Sequence, residues 1–242
     1  MTANQSYSRI IEVRQYLLRE HRRDDLISLF EREFIESQEA AGMTIVGTFR
    51  VAGDPQRFFW IRGFPDMETR ARALREFYEG PVWRANSSSA NDTMIDSDNV
   101  LLLHSASARS GFRFDNLDRP APGATGGAGR AFVATIFDFG QPVESDFFPF
   151  FEARFGPTMK NLGMELTACL VTERSPNNFP RLPIREDANA FVALGTFSDE
   201  TSFKRYCESL RLWEKTGDSF AQKLRGTVEI LRLIPTARSL LR

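Results

Sequence analysis

One stretch of the sequence decides the fold, and the chain contains it twice: Leu26-Ile27-Ser28-Leu29-Phe30-Glu31-Arg32-Glu33-Phe34 and, 121 residues later, Phe147-Phe148-Pro149-Phe150-Phe151-Glu152-Ala153-Arg154-Phe155. The same offset, 147 − 26 = 121, carries Gly42-Met43 onto Gly163-Met164. Farther along, Phe59 falls on Phe191 at an offset of 132, and residues 101–103 fall on residues 231–233 at an offset of 130. Because solenoid repeats are only about 20–50 residues long, this period indicates two copies of one domain.

The copies differ in length at one place. The offset rises from 121 to 132 between the second and third strands, and 132 − 121 = 11 predicts an insertion of eleven residues in the second copy. Residues 177–186 belong to this insertion.

Each copy is predicted to run strand, helix, strand, strand, helix, strand. In the first copy Asp24 or Asp25 is expected to cap the first helix, and Gly42 to end it. The second helix opens at Asp66, with Arg70 on its solvated face, and Trp83 is placed in a short turn. The predicted strands are residues 10–18, 44–51, 57–62 and 99–104 in the first copy, and 132–139, 165–173, 190–197 and 227–233 in the second. The predicted helices of the second copy are residues 145–160, 199–212 and 213–224.

This order of elements predicts an α+β fold of two tandem ferredoxin-like βαββαβ domains. Both helices of such a domain cover one sheet face, so the other face needs cover. Two copies in one chain can pair those faces and close into an α/β barrel of the kind that dimers form. The predicted domains are residues 8–105 and 130–237, and the linker between them, residues 106–129, is rich in Pro and Gly, so its second half is expected to be mobile.

Composition excludes several classes of protein. The net charge is −1 with interspersed signs, which argues against nucleic acid as the main partner. No run of about 18 apolar residues exists to cross a membrane, and the polar residues 1–6 do not resemble a signal peptide, so a cytoplasmic protein is expected. Cys169 and Cys207 have no partner at metal or redox spacing and are expected to be buried, reduced thiols. Neither a metal nor a cofactor is predicted.

One strand carries a candidate ligand site. Phe58, Trp60 and Arg62 share a face of the third strand through its alternation. Aromatic rings beside a fixed cation suit a small acidic or aromatic molecule, through stacking and a charge-assisted hydrogen bond. The alternative is structural, with Trp60 packed against the helices and Arg62 at the sheet margin.

The insertion is the best functional candidate in the sequence, because it breaks the symmetry of the repeat. Its candidate binding residues are Asn178, Phe179, Arg181 and Arg185, on a segment stiffened by prolines. Two guanidinium groups four residues apart could bind a carboxylate or a phosphate. Alternatively, the segment attaches to the first copy or to another chain through Glu side chains or backbone carbonyls.

The remaining polar residues offer less chemistry. His104 ends a strand, where it lies at a pocket rim or only marks the strand end. Glu12, Glu165 and Glu173 lie on or beside strands and could be buried, but no pair of carboxylates and no nucleophile–base set stands out, so no catalytic residue is assigned. Trp83 recurs as Trp213, which indicates packing.

The sequence resembles the NIPSNAP family of dimeric α/β-barrel proteins. The resemblance rests on Phe59-Trp60-Ile61-Arg62-Gly63-Phe64-Pro65-Asp66-Met67-Glu68-Thr69-Arg70 followed by Trp83, on Ile11-Glu12-Val13-Arg14-Gln15-Tyr16, and on the insertion, which resembles a loop of tandem bacterial members. It implies the barrel fold but no established catalytic set. The wider superfamily includes cofactor-free monooxygenases, heme-degrading enzymes, polyketide cyclases and peroxidases. The heme-degrading relatives carry a His on the second helix of the repeat, and here neither residues 66–77 nor 199–212 contain one, which argues against heme.

Three functions stay open at this stage. The first is a non-catalytic protein that binds a small aromatic or acidic molecule in a pocket between sheet and helices. The second is a cofactor-free enzyme of the monooxygenase or cyclase type, in which a dry pocket promotes the reaction. The third is a scaffold for protein partners. Pairing of two whole chains is expected in each case.

Overall fold

A computed structural model describes residues 8–115, 117–126 and 130–242. The polar start at residues 1–6 and the linker residues Gly127-Ala128-Gly129 lie outside the described residues. The expectations for those two segments therefore stay predictions.

The described residues form eight strands and six α-helices. The strands are β1 (Ile10–Leu18), β2 (Thr44–Val51), β3 (Arg57–Phe64), β4 (Met94–Ser105), β5 (Phe132–Asp138), β6 (Glu165–Thr172), β7 (Ala190–Thr196) and β8 (Glu229–Pro235). The helices are α1 (Arg23–Leu29), α2 (Ile35–Ala40), α3 (Met67–Tyr78), α4 (Pro81–Asn91), α5 (Phe147–Asn161) and α6 (Glu200–Glu214). A π-helical turn, Phe30–Phe34, joins α1 to α2, and a 3-10 turn, Ala221–Lys223, precedes β8.

The strands form one closed barrel in the order β1-β3-β2-β8-β5-β7-β6-β4, in which β4 returns to β1. The two halves of the chain meet at two antiparallel seams, β2 with β8 and β4 with β6. Closure leaves no unpaired sheet edge. The predicted α/β barrel is confirmed, and it closes within the chain.

Alternation along each strand separates a barrel interior from an outer layer under the helices. On β1, Ile11 and Val13 belong to the interior apolar cluster, together with Ile61 of β3 and Leu101 of β4. The other face of the sheet packs against the helices in two separate clusters, one for each half. The side chain of Glu12, between Ile11 and Val13, therefore points into the layer between sheet and helices.

Strand pairing corrects one predicted offset. Glu12 lies opposite Arg62, and Val133 lies opposite Gly195, so β3 corresponds to β7 at 195 − 62 = 133 and not at 132. An error of one residue matters because it moves every side chain to the other sheet face. The insertion is accordingly 133 − 121 = 12 residues long. It lies in the connection between β6 and β7, residues 173–189, called the inserted segment below, where the first half has only residues 52–56.

Two helix ends follow the sequence signals and one does not. Asp66 caps α3 by accepting a hydrogen bond from Thr69 N at 2.7 Å, and Gly42, at a φ of 97°, follows α2 as expected. Neither Asp24 nor Asp25 caps α1, because the helix already begins at Arg23 and places both carboxylates in its first turn.

Two predicted elements are wrong. Trp83 lies in α4 and not in a turn, because Pro81 is well suited to a first helical position and the polar serines after it continue the helix. Residues 213–224 do not form a helix. Trp213 belongs to the last turn of α6, and the helix ends before Thr216-Gly217-Asp218. In the turn that follows, Asp218 accepts a hydrogen bond from Phe220 N.

The linker packs on the barrel. Phe112 is buried in the interior cluster and stacks with Phe114 at a centroid distance of 6.2 Å. The Arg119 guanidinium donates to the Arg238 carbonyl at 2.8 Å and to Glu39 Oε1 at 2.6 Å. These contacts tie the linker to the end of the chain and to α2.

Candidate functional site

The predicted aromatic and cationic residues of β3 are buried under the helices of the first half. Phe58 and Arg62 are 0% exposed and Trp60 is 2% exposed. Trp60 packs edge-on against Phe30 and Tyr16, at centroid distances of 4.9 and 5.8 Å, as the structural alternative predicted. Arg62 does not lie at a sheet margin, however. It lies in the middle of the buried layer.

Arg62 belongs to a buried charge cluster, called the arginine cluster below, which comprises Glu12, Arg14, Arg62 and Arg70. Arg62 Nε and Arg14 Nη1 donate to Glu12 Oε2 at 2.7 and 2.8 Å, and Arg70 Nε donates to Glu12 Oε1 at 2.7 Å. All four side chains are 0–1% exposed. The pairing of β1 with β3 sets Glu12 opposite Arg62, and Arg70 reaches both from the first turns of α3.

The charges of the arginine cluster do not balance. Burial alone would raise the pKa of the Glu12 carboxyl, but Arg62, Arg14 and Arg70 together hold that pKa well below its ordinary value. Glu12 is therefore an anion at neutral pH. Three guanidinium groups face one carboxylate, so the cluster carries a net formal charge of +2. The neighbouring Tyr16 hydroxyl accepts a hydrogen bond from Arg14 Nε at 3.1 Å, and burial raises its pKa, so it adds no negative charge.

Several buried donors in this layer have no hydrogen-bond partner among the described residues. They are Arg62 Nη2, Arg70 Nη2 and Trp60 Nε1. Arg62 Nη2 lies 2.7 Å from Glu12 Oε2, but this approach lacks hydrogen-bond geometry, and Arg62 Nε donates to the same oxygen. The Arg62 guanidinium also lies 5.1 Å from the centre of the Trp60 ring. Because a buried donor without a partner costs free energy, these groups favour an acceptor from outside the described chain.

The inserted segment covers the arginine cluster. Asn178 Oδ1 accepts a hydrogen bond from Arg70 Nη1 at 2.7 Å, and Asn178 Nδ2 donates to the Met67 carbonyl at 2.5 Å. Asn177 Oδ1 accepts from the same Arg70 nitrogen at 3.2 Å. Phe179 is 7% exposed and stacks on Tyr78 at 6.1 Å. The segment therefore attaches to the first half through amide side chains and an aromatic ring.

Two predicted binding residues of the segment lie elsewhere. Arg185 forms an ion pair with Asp138 at 2.5 Å and its backbone N donates to the Val100 carbonyl at 2.9 Å, so it fixes the end of the segment. Arg181 is exposed. The two guanidinium groups do not converge on one ligand, because Arg185 already has a carboxylate partner.

His104 is half-buried near the end of β4, opposite Ile10, and its Nδ1 lies 3.0 Å from the Ser105 carbonyl. No hydrogen bond joins it to the arginine cluster among the described residues. The three candidate glutamates differ in burial: Glu12 is buried, Glu173 is partly buried and Glu165 is exposed. Burial would raise the pKa of Glu173, but hydrogen bonds from Ser175 outweigh it and lower the pKa.

The placement of Arg70 on the solvated face of α3 is wrong, and Arg14 and Arg70 are the cluster members that sequence reasoning missed. Arg70 is 0% exposed and shares the helix face of Ala73, Leu74 and Phe77, which are also buried. The spacing i, i+3, i+4, i+7 was the available signal, because a charged residue on an apolar stripe is buried unless its head reaches water. Its partner Glu12 is 58 residues away in sequence, so no local pattern shows the pair.

The second half has no equivalent of the arginine cluster. An offset of 121 carries Glu12 and Arg14 of β1 onto Val133 and Thr135 of β5. An offset of 133 carries Arg62 onto Gly195 of β7 and Arg70 onto Phe203 of α6. At this place the second half has an open cleft of about 160 Å³, whose walls include Val133, Phe197 and Phe203. In the first half, Asn178 forms a hydrogen bond with Arg70, the residue that corresponds to Phe203.

Other parts of the described chain provide weaker candidates for a functional site. A groove of about 560 Å³ lies beside the linker at one end of the barrel, but Arg109, Arg113 and Arg130 on its walls are exposed. Within the described ranges, no group of three or more His, Cys, Asp or Glu side chains is placed to hold a metal ion. No α-helix among these residues is both long and apolar enough to cross a membrane.

Comparison with known proteins agrees with the resemblance found in the sequence. Residues 11–108 match the NIPSNAP family model, so the first half of the chain is similar to that family, and the predicted resemblance is confirmed. No curated protein matches the chain significantly.

Several solved structures share the fold over almost the whole chain. A Fusobacterium nucleatum protein named "putative monooxygenase" aligns with a TM-score of 0.56 and 11% identity, over 94% of this chain and 92% of its own. A Lactobacillus acidophilus protein, also named "putative monooxygenase", aligns with a TM-score of 0.51 and 13% identity, over 95% and 96%. A protein named "anthrone oxidase-like" aligns with a TM-score of 0.53 and 12% identity, over 96% and 93%. At such low identities the likeness shows the fold alone.

Proposed function

We propose that this chain, whose first half is similar to the NIPSNAP family, binds a small acidic molecule between the sheet and the helices of that half. The observation that carries the proposal is the surplus of buried positive charge, three guanidinium groups against the single carboxylate of Glu12. An anionic ligand would supply the missing negative charge and the missing acceptors. Trp60, whose ring contacts the Arg62 guanidinium, would form an aromatic wall.

The second half serves as an internal control for this argument. At the corresponding positions it has Val133, Thr135, Gly195 and Phe203, so the repeat folds without buried charges there. A buried ion pair seldom adds stability, because desolvation cancels much of the attraction, and an unbalanced cluster is less favourable still. Retention of the arginine cluster in one copy therefore favours a role in binding over a role in folding.

We propose a ligand with a single ring, because the cleft at the corresponding place in the second half measures about 160 Å³, and a cavity of about 150 Å³ is enough to hold benzene. In the first half the ligand would replace the amide groups of Asn177 and Asn178 beside Arg70, so access requires the inserted segment to move. Asn178 and Phe179 thus remain proposed site residues, together with Phe58, Trp60 and Arg62. Arg181, Arg185 and His104 form no hydrogen bond with the arginine cluster among the described residues, and the proposal gives them no role.

Tryptophan fluorescence tests the proposal. A variant with Trp83→Phe and Trp213→Phe retains Trp60 as its single reporter, and it is titrated with benzoate, salicylate and the neutral benzamide. We expect saturable changes with the acids and none with the amide. In the same background Arg62→Met should abolish the response, while Arg50→Gln, at a partly exposed arginine paired with Asp24, should leave it unchanged. Absence of a response to every acid in the folded single-tryptophan protein would refute the proposal.

A second candidate function is a cofactor-free enzyme of the monooxygenase or cyclase type. It is favoured by the names of the proteins that share the fold, two of them "putative monooxygenase" and one "anthrone oxidase-like". A dry site that holds an aromatic acid beside fixed cations would also stabilise a substrate carbanion. Oxygen uptake with phenolic and quinol substrates, lost in Arg62→Met, distinguishes turnover from binding alone.

Two finer structural points are part of the proposal. The same strand order in the two halves, with β1 between β3 and β4 and with β5 between β7 and β8, supports the interpretation of the chain as two ferredoxin-like repeats. Bulges at corresponding places, Ile45/Gly47 and Leu166/Ala168, support it as well. Whole chains are proposed to pair through their helices, because the closed barrel has no free edge, and native mass spectrometry would report the pairing.

A further inference from the structure

We infer that the ligand of the arginine cluster carries two negative charges. The inference rests on the proposed function and narrows its ligand class. Arg14, Arg62 and Arg70 contribute three positive charges, and Glu12 contributes one negative charge. A monoanion would leave the buried cluster at +1, whereas a dianion would bring it to neutrality.

Among the described residues, no carboxylate other than Glu12 is buried or forms an ion pair with Arg14, Arg62 or Arg70. Burial keeps Tyr16 protonated, and its hydroxyl accepts from Arg14. The remaining acceptors are neutral amide oxygens, Gln38 Oε1 on Arg62 at 3.0 Å and the two Asn Oδ1 atoms on Arg70. Amide dipoles satisfy hydrogen bonds but do not cancel charge.

The geometry of the unused donors agrees with the charge count. Arg62 Nη2 and Arg70 Nη2 belong to different side chains on different elements, β3 and α3, and neither has a hydrogen-bond partner within the part of the chain that the structure describes. Each could donate to its own acidic group. Two groups on one ring, or a single phosphate ester, both provide two charges. The shared chemistry is a compact dianion on an aromatic ring.

Calorimetric titration with a matched series of one-ring compounds tests the inference. The series comprises benzamide with no charge, benzoate with one, and isophthalate and phenyl phosphate with two near pH 7.5. Coupling of close charge pairs at desolvated sites amounts to about 1.5 kcal/mol or more, which is about tenfold in affinity. We therefore expect at least one dianion to bind the wild-type protein about tenfold or more tightly than benzoate. Preference for isophthalate or for phenyl phosphate decides between a dicarboxylate and a phosphate ester.

A repeat-derived variant sharpens the test. Arg14→Thr installs the residue of the second half, Thr135, and reduces the cluster to +1, so the preference for a dianion over benzoate should nearly vanish. The Arg50→Gln variant should retain the wild-type preference. The wild-type series is decisive by itself, so the test does not depend on the folding of Arg14→Thr.

The two possible failures are distinguishable. If benzoate binds the wild-type protein as tightly as both dianions, the inference is overturned and the proposed function stands. If none of the three acids binds, the proposed function falls, and the inference falls with it.

Discussion

Removal of Glu12, the single buried carboxylate among the residues that the structure describes, is the sharpest perturbation available. Glu12→Gln keeps the size of the side chain but leaves Arg14, Arg62 and Arg70 without a counter-charge, at three contacts of 2.7–2.8 Å. Breaking one buried ion pair by removing a partner costs about 3–5 kcal/mol. We expect a loss of at least this size, a large part of the roughly 5–15 kcal/mol that stabilises a typical domain.

Chemical and thermal denaturation, each monitored by circular dichroism, measure this loss as a free energy of unfolding and as a shift in Tm. In a chain of this size each kcal/mol shifts Tm by about 2–4 °C, so Tm should fall by about 6–20 °C. The matched control is Glu165→Gln, which removes a carboxylate from the exposed pair with Arg130 and should cost at most about 1 kcal/mol. A second control replaces the whole cluster with Glu12→Val, Arg14→Thr, Arg62→Met and Arg70→Met, and should recover most of the stability. A loss below about 1 kcal/mol in Glu12→Gln would refute the description of a buried, charged cluster.

Three further predictions concern the pKa of Glu12, the inserted segment and the two cysteines. Because the pKa of Glu12 is depressed in the folded state, its stabilising effect is complete above the unfolded pKa of about 4.3 and is lost as the pH falls below that value. The difference in unfolding free energy between wild type and Glu12→Gln should therefore be smaller at pH 3.5 than at pH 7, and an equal difference at both pH values would contradict this prediction. Replacing the inserted segment, residues 173–189, by the first-half turn, residues 52–56, should uncover the arginine cluster. Acrylamide should then quench the fluorescence of Trp60 more strongly, and benzoate should associate faster in stopped-flow measurements. An unchanged association rate would show that the segment does not control access. Burial raises the pKa of Cys169 to about 12, so iodoacetamide at pH 8 should label the partly exposed Cys207 first. Mass spectrometry of the peptides measures this labelling, and equal labelling of both cysteines would contradict the burial of Cys169.

The barrel was predictable because its signals are local and repeated. The recurrence of one helix stripe at a constant offset, and Gly42 and Gly163 at corresponding helix ends, identify the two copies without any knowledge of their contacts. Alternation on β3 correctly placed Phe58, Trp60 and Arg62 on one face. The offset of β3 was wrong by one residue, because apolar residues occupy both faces of this strand and the sequence match does not distinguish Phe58 from Phe59.

The site was predictable only in part, because its contacts join distant segments. Glu12 meets Arg70 from another element, and Asn178 meets Arg70 across 108 residues of chain. A charged residue such as Arg70 is normally solvated, so composition favours the wrong face of α3. The apolar stripe through Ala73 and Leu74 was the only local indication against it. The sequence analysis predicted that Arg185 binds a ligand, because its partner Asp138 on β5 is identified only by the folded structure.

The most direct test of the central claim is a crystal structure of the protein soaked with 4-iodobenzoate, with the iodine located by anomalous scattering. Our account predicts an iodine peak in the first half, between Trp60 and α3, with the carboxylate on Arg62 or Arg70 and with Asn178 displaced from Arg70. A peak in the open cleft beside Phe203 of the second half, or no peak in either half at a saturating concentration, would contradict it.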